Sequence, residues 1–234
     1  MLLKHLREEV LEANLEIARR GLAVFTFGNA SGFDRNEHLA VIKPSGVPYE
    51  QLRPEDLVVT DLEGNIRDGS LRPSSDLPTH LALYRAWQGI NGVVHTHSRH
   101  ATAWAQANRP IPCFGTTHAD YFGGPIPVTK PMQPEHIQSE YERNTGHAIL
   151  AHFEEQRLNP LTTPAVLVSS HAPFCWGPNV TDAAHTAAIV EELAHMALLT
   201  LTINAEAGPI PKALHEKHFF RKHGPTAYYG QKSS

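Results

Sequence analysis

Short runs of β-branched and aromatic residues alternate with helix-periodic segments from one end of the chain to the other. No feature limits the possible folds more. AVFTFGNASGF (23–33), LAVIKPSGV (39–47) and DLVVTDLEGNIRDG (56–69) are strand-like runs broken by Gly, Pro and Asn, and the EGN of the last predicts a hairpin turn. INGVVHTH (90–97) has the same character, and AVLVSSHAPFCWG (165–177) reads as a buried strand breaking into a proline-containing turn. Between and around them, Leu6, Val10, Ala13 and Ile17 recur at helical spacing up to Gly21, which sits where a helix is expected to stop. SSDLPTHLALYRAWQ (74–88) predicts a helix with Ser75 or Asp76 as its N-cap and Pro78 in its first turn. Further helical pieces are expected near 100–108 and 145–156, and TDAAHTAAIVEELAHMALLTL (181–201) is the strongest helical pattern. No repeat or linker divides the 234 residues, so strands and helices are expected to share one α/β or α+β layered domain, 1–234.

Composition excludes several partners. The 24 acidic against 20 basic residues give a formal charge of −4 with no long block of one sign, which argues against nucleic acid. No run of about 18 consecutive apolar residues predicts a membrane span. Two cysteines, Cys113 and Cys175, make no disulfide framework, and the charged start MLLKHLREEV is unlike a secretory signal, so a cytoplasmic location is expected. Histidine is the departure, with sixteen copies that direct attention to metal or proton chemistry.

His95 and His97 are two apart on a strand-like run, so their imidazoles share a face and can chelate. A catalytic zinc site needs a third protein ligand, and His171 at the end of AVLVSSH is the choice. PSSD places Ser74, Ser75 and Asp76 at a helix start, where unpaired N–H groups favour an anion, although plain N-capping would account for one of them. GNAS and KPSG add Asn29, Lys43, Ser45 and Gly46 in polar turns suited to phosphate oxygens or sugar hydroxyls. Asp120, in TTHADYFGG, is a candidate acid or base among other titratable groups. Tyr228 and Tyr229 close a basic, aromatic tail that would be wasted unless it docked, for example on a neighbouring subunit.

EANL, GNAS, VIKPSGV, PSSDLPTH, VHTHSRHATAWAQA, GTTHADYF, SHAPFCWG and KHFFRKHGPTAYYGQ occur in this order over nearly the whole chain. Together they resemble the class II aldolase/epimerase family, and within it the branch that epimerises pentulose 5-phosphates at C4. The resemblance implies a three-layer α/β/α domain around a mainly antiparallel sheet, and a cyclic homotetramer with active sites between subunits. It implies one Zn2+ per subunit on His95, His97, His171 and Asp76, and substrate or phosphate contacts at Gly28, Asn29, Ser45, Gly46, Ser74 and Ser75, with Lys43 close by. Asp120 and Tyr229 become the acid/base pair, the tyrosine reaching in from the adjacent subunit.

The implied reaction is retro-aldol cleavage of C3–C4 and re-addition to the opposite face. The sugar-phosphate aldolases of the same superfamily are the alternative; they carry glutamate where this chain has Asp76. A non-catalytic adducin-head module is a further one, disfavoured by the intact HTH and SSHAP. Members of the family often have glycine where this chain has Ala172, and Cys175 replaces a small residue. A positive φ at 172 would therefore strain the loop that aims His171.

Overall fold

A computed structural model describes residues 1–224, 227 and 228. In chain order the elements are α1 (Lys4–Arg19), β1 (Asn29–Asp34), β2 (Leu39–Ile42), β3 (Val58–Asp61), β4 (Ile66–Asp68), α2 (Leu77–Ala86) and β5 (Gly92–His95). They continue with α3 (Arg99–Gln106), α4 (Thr116–Ala119), α5 (Pro134–Gln138), α6 (Tyr141–Glu155), β6 (Ala165–Leu167), β7 (Pro173–Gly177), α7 (Val180–Ile203) and α8 (Lys212–Lys222). The strands form one sheet in the order β4-β3-β2-β1-β5-β7-β6, with every neighbouring pair antiparallel.

Alternation along the strands sends side chains to two separate cores. Val41 and Val94 join Val10 and Ile17 of α1 and Val190 and Ala194 of α7 on one face. Ala40, Ile42 and Val93 join Leu81 and Tyr84 of α2 and Ile149 and Phe153 of α6 on the other. Each fully buried Val or Ile in such a core contributes about 1.5–3 kcal/mol. The result is the helix–sheet–helix layering implied by the resemblance.

By length and apolarity α7 is the one helix among the described residues able to cross a membrane. Its buried residues, from Ala183 through Ala187, Val190 and Ala194 to Ala197, recur at helical spacing and pack into the core, which accounts for that apolarity.

Several boundaries differ from the sequence reading. The first strand begins only at Asn29, because Phe25 and Gly28 both adopt positive φ and turn the chain ahead of it. AVLVSSHAPFCWG forms two strands, since Val168 N–H reaches Ala172 O at 2.9 Å and folds β6 back into β7. Within that turn the positive φ belongs to Ser170, at 58°, and Ala172 carries none, so the alanine imposes no backbone strain on His171. The stretch 109–134 holds α4 and an antiparallel bridge between Ile111 and Ile126.

Register is what places the site. Asn29 pairs with His95, and His95 with Phe174, so β1, β5 and β7 present adjacent residues in one row at the same end of the sheet.

Candidate active site

The row that ends in Asn29, His95 and Phe174 opens into a cleft of about 380 Å³. β5 ends at His95, so His97 lies just past the strand; its ring still turns to the same side, with its Nε2 3.1 Å from His95 Nε2. His171 enters from the β6–β7 turn, with ring centroids 4.8 Å from His95 and 5.1 Å from His97. The three donor atoms lie within 4.8 Å of one another, and no other group of this kind occurs among the described residues.

His95 is fixed twice. Its Nδ1–H donates to Pro173 O at 3.0 Å, which leaves Nε2 with a bare lone pair, and its ring stacks on Phe174 at 4.2 Å. Burial, then the neighbouring His97, pushes its pKa down to about 3. Burial, then His95 and His97, brings His171 to about 4, and burial also lowers His97. All three are neutral imidazoles at neutral pH. His95 Nε2 and His97 Nε2, 3.1 Å apart, are close enough to share a proton or to be bridged by one ion. A tetrahedral ion with bonds of about 2.0–2.1 Å separates its ligands by about 3.3 Å, so the residues present fit a divalent metal.

Asp76 stands at the head of α2 as expected, but its side chain does not cap the helix. The carboxylate Oδ2 accepts from Asn29 Nδ2 at 2.7 Å, and Asp76 is not part of the converging histidine group. Gly28, Asn29, Lys43, Ser45, Gly46, Ser74 and Ser75 all line the same cleft. Main-chain bonds from Ser45 N to Arg72 O (3.0 Å) and from Ser74 N to Lys43 O (2.9 Å) clasp the PSG turn to the PSSD segment. Gly28 is required where it is: its φ is +75°, and a Cβ there would stand 2.6 Å from His95 O.

Lys43 is 1% exposed, its Nζ lies 4.8 Å from the Tyr49 ring, and burial brings its pKa down to about 8. Among the described residues it has no carboxylate partner. A buried ammonium in that position suits an anion as its counter-charge. Asn29 Oδ1 is buried with no hydrogen-bond partner among the described residues and so can accept from a bound hydroxyl.

Of the expected acid/base pair, Asp120 lies apart from the cleft of its own chain. Asp120 follows α4, and its carboxylate receives Arg221 Nε at 2.9 Å and Nη2 at 2.6 Å, with His218 Nδ1 at 3.0 Å. Burial pushes its pKa up, but the Arg221 and His218 bonds and the Lys222 and Arg221 charges outweigh this and hold it below the usual carboxylate range. Asp120 does not line the histidine cleft. Tyr229 lies outside the described residues. Tyr228 is exposed, with Lys217 Nζ 5.3 Å from its ring centroid.

The cleft also contains Tyr141 and Glu142, which the sequence reading did not single out. Their signal was weak, because they precede the apolar run that marked this helix. Burial, with the Asp76 and Glu142 charges, pushes the Tyr141 hydroxyl up, so it keeps its proton.

A family model described as class II aldolase and adducin N-terminal domain matches residues 8–198. The chain belongs to this family. Among curated relatives, L-ribulose-5-phosphate 4-epimerase UlaF of Salmonella paratyphi B is 51% identical over 98% of this chain and 100% of its own length. UlaF of Salmonella typhi is likewise 51% identical over the same shares. Two solved structures share the fold. An L-fuculose 1-phosphate aldolase superposes with a TM-score of 0.79 at 24% identity, over 94% of this chain and 97% of its own. The L-fuculose-1-phosphate aldolase of Thermus thermophilus does so at 0.64 and 24%, over 88% and 98%. Family membership agrees with the layered antiparallel sheet, and the three-histidine group could hold a metal ion.

Proposed function

We propose that this chain, as one catalytic domain over residues 1–234, interconverts L-ribulose 5-phosphate and D-xylulose 5-phosphate by inverting C4. The observation that carries the reading is that three neutral imidazoles and a buried lysine with no carboxylate partner among the described residues line one cleft. It is supported by full-length similarity to relatives bearing the epimerase name.

C4 lies β to the C2 carbonyl, so the anion left by removing its proton has no resonance stabilisation; cleaving C3–C4 avoids that anion. Zn2+, one per subunit on His95, His97 and His171, would supply Lewis-acid polarisation of the C2 carbonyl and C3 hydroxyl oxygens. Lys43, Ser45, Ser74 and Ser75 hold the phosphate, with the Gly28 and Gly46 turns giving main-chain approach. This grip keeps the two-carbon aldehyde phosphate in place while it turns over its other face. Asn29, held by Asp76, offers its free amide oxygen to a substrate hydroxyl. The aldolase alternative would release the fragments; Asp76, engaged with Asn29, is not placed as a free base for that outcome.

Asp120 is the proton carrier for one C4 epimer and Tyr229 for the other. Because Asp120 is bound to Arg221 and His218 of its own chain and does not line its own cleft, it serves the cleft of a neighbour. The assembly is a cyclic homotetramer, with Asp120 and Tyr229 delivered together by the adjacent subunit. Running the reaction in D2O tests the bond-cleavage route. Product without deuterium at C4 is expected, because the C4–H bond never breaks; deuterium at C4 refutes the route.

A further inference from the structure

His171 is held less tightly than His95. His95 is held by a main-chain carbonyl and a stacked ring, whereas His171 is half-buried in a turn. The turn itself is firm. His171 N–H reaches Val168 O at 2.9 Å, and Ser170 N–H reaches Ala105 O at 2.9 Å. These bonds fix the backbone but not the ring, whose last torsion has two broad, nearly equivalent orientations. One presents Nε2 toward His95 and His97, and the other presents a carbon. An imidazole also exists as two tautomers, and only one of them leaves Nε2 free to act as a ligand.

Among the described residues, one side-chain group lies within hydrogen-bond distance of this ring. The Tyr141 hydroxyl stands 3.4 Å from His171 Nδ1, at the long end of hydrogen-bond distance, with ring centroids 6.1 Å apart. Tyr141 is itself well anchored, because it opens α6 and the start of α6 is locked to α2. Thr79 Oγ1 donates to Glu142 O at 2.5 Å, and Gly146 lies so close to Ala82 that an added Cβ would stand 2.7 Å from the alanine methyl. The helix headed by Asp76 therefore also fixes the hydroxyl beside His171.

We propose that Tyr141 is the positioning residue for His171. Its phenolic oxygen accepts the Nδ1 proton, sets the tautomer, and turns Nε2 toward His95 and His97. Pro173 O does the same for His95, so two of the three imidazoles are oriented by an oxygen behind them. The inference rests on the metal-site reading, but part of its test does not.

The variant is Tyr141→Phe in the full chain, which keeps the ring and removes only the oxygen. Long-range 1H–15N correlation spectra of the metal-free protein read the tautomer directly. Wild type is expected to carry the His171 proton on Nδ1, and the variant to shift toward the Nε2–H form. Competition with a chromophoric chelator then reads the Zn2+ dissociation constant, expected to rise about 10- to 100-fold, as for other outer partners of ligating histidines. The thermal midpoint of the metal-free variant separates lost positioning from lost fold. An unchanged tautomer in the folded variant, or an unchanged dissociation constant, overturns the proposal. If wild type binds no zinc, the metal reading fails, and the tautomer measurement still decides the role of Tyr141.

Discussion

Subunit mixing tests the division of the site between chains. His97→Asn destroys the histidine cleft of its own chain and leaves Asp120 intact. Asp120→Asn does the reverse. Each variant alone should fall to about 10⁻²–10⁻⁴ of wild-type turnover, the usual worth of a positioned acid/base group or more. In a cyclic assembly formed from an equal mixture, half of the clefts belong to Asp120→Asn chains and keep their histidines. Half of those face a His97→Asn neighbour that supplies a good Asp120. About one quarter of wild-type activity is therefore expected, rising and falling as a parabola in the mixing ratio.

A second pairing sharpens the test. On sequence alone, Asp120→Asn and Tyr229→Phe chains are expected to complement each other, since only the tyrosine is assigned to the neighbour. The structure ties Asp120 to Arg221 and His218 near the end of the same chain, eight residues before Tyr229 in the first case. Both defects then reach a cleft from the same side, and no activity should return. Initial rates on mixed, exchange-verified oligomers, with exchange checked by native mass spectrometry, give the answer. No recovery in the first mixture, or recovery in the second, refutes the shared arrangement.

Ser75→Ala should raise KM for the pentulose phosphate more than it lowers kcat, because a grip remote from the reacting carbons contributes mainly uniform binding; steady-state kinetics showing an unchanged KM would move the phosphate elsewhere. For the metal-free protein, His95 at about 3 and His171 at about 4 lie below the unfolded histidine value of about 6.5. The unfolded chain takes up these protons first, so stability is full above about pH 6.5 and declines as pH falls toward 4. Denaturant unfolding at pH 7 and pH 5 should show the loss, and saturating zinc should oppose it.

Much of this architecture is legible in the sequence because it depends on local periodicity. The spacing of Val10, Ala13 and Ile17 marks α1, and the alternation around Val41 and Val94 marks strands with two buried faces. The cleft residues are legible for another reason: glycines and hydroxyls cluster at the ends of those strands, in GNAS, KPSG and PSSD. What escaped reading depends on distant pairs. Lys212–Lys222 mixes charged and apolar residues without a clean stripe, and its helix is stabilised by contacts such as His215 Nε2–H to Phe122 O. Tyr141 meets His171 across 30 positions, and no short-range pattern reports that. The carboxylate of Asp76 turns from capping to Asn29 because β1 brings the amide within 2.7 Å.

The decisive measurement is the product formed from L-ribulose 5-phosphate by the purified, zinc-loaded chain, followed by carbon NMR. D-xylulose 5-phosphate should accumulate to equilibrium with no free glycolaldehyde phosphate, and activity should vanish in chelator and return with metal. Release of glycolaldehyde phosphate as the main product, or full activity in a chain stripped of metal, would contradict the account.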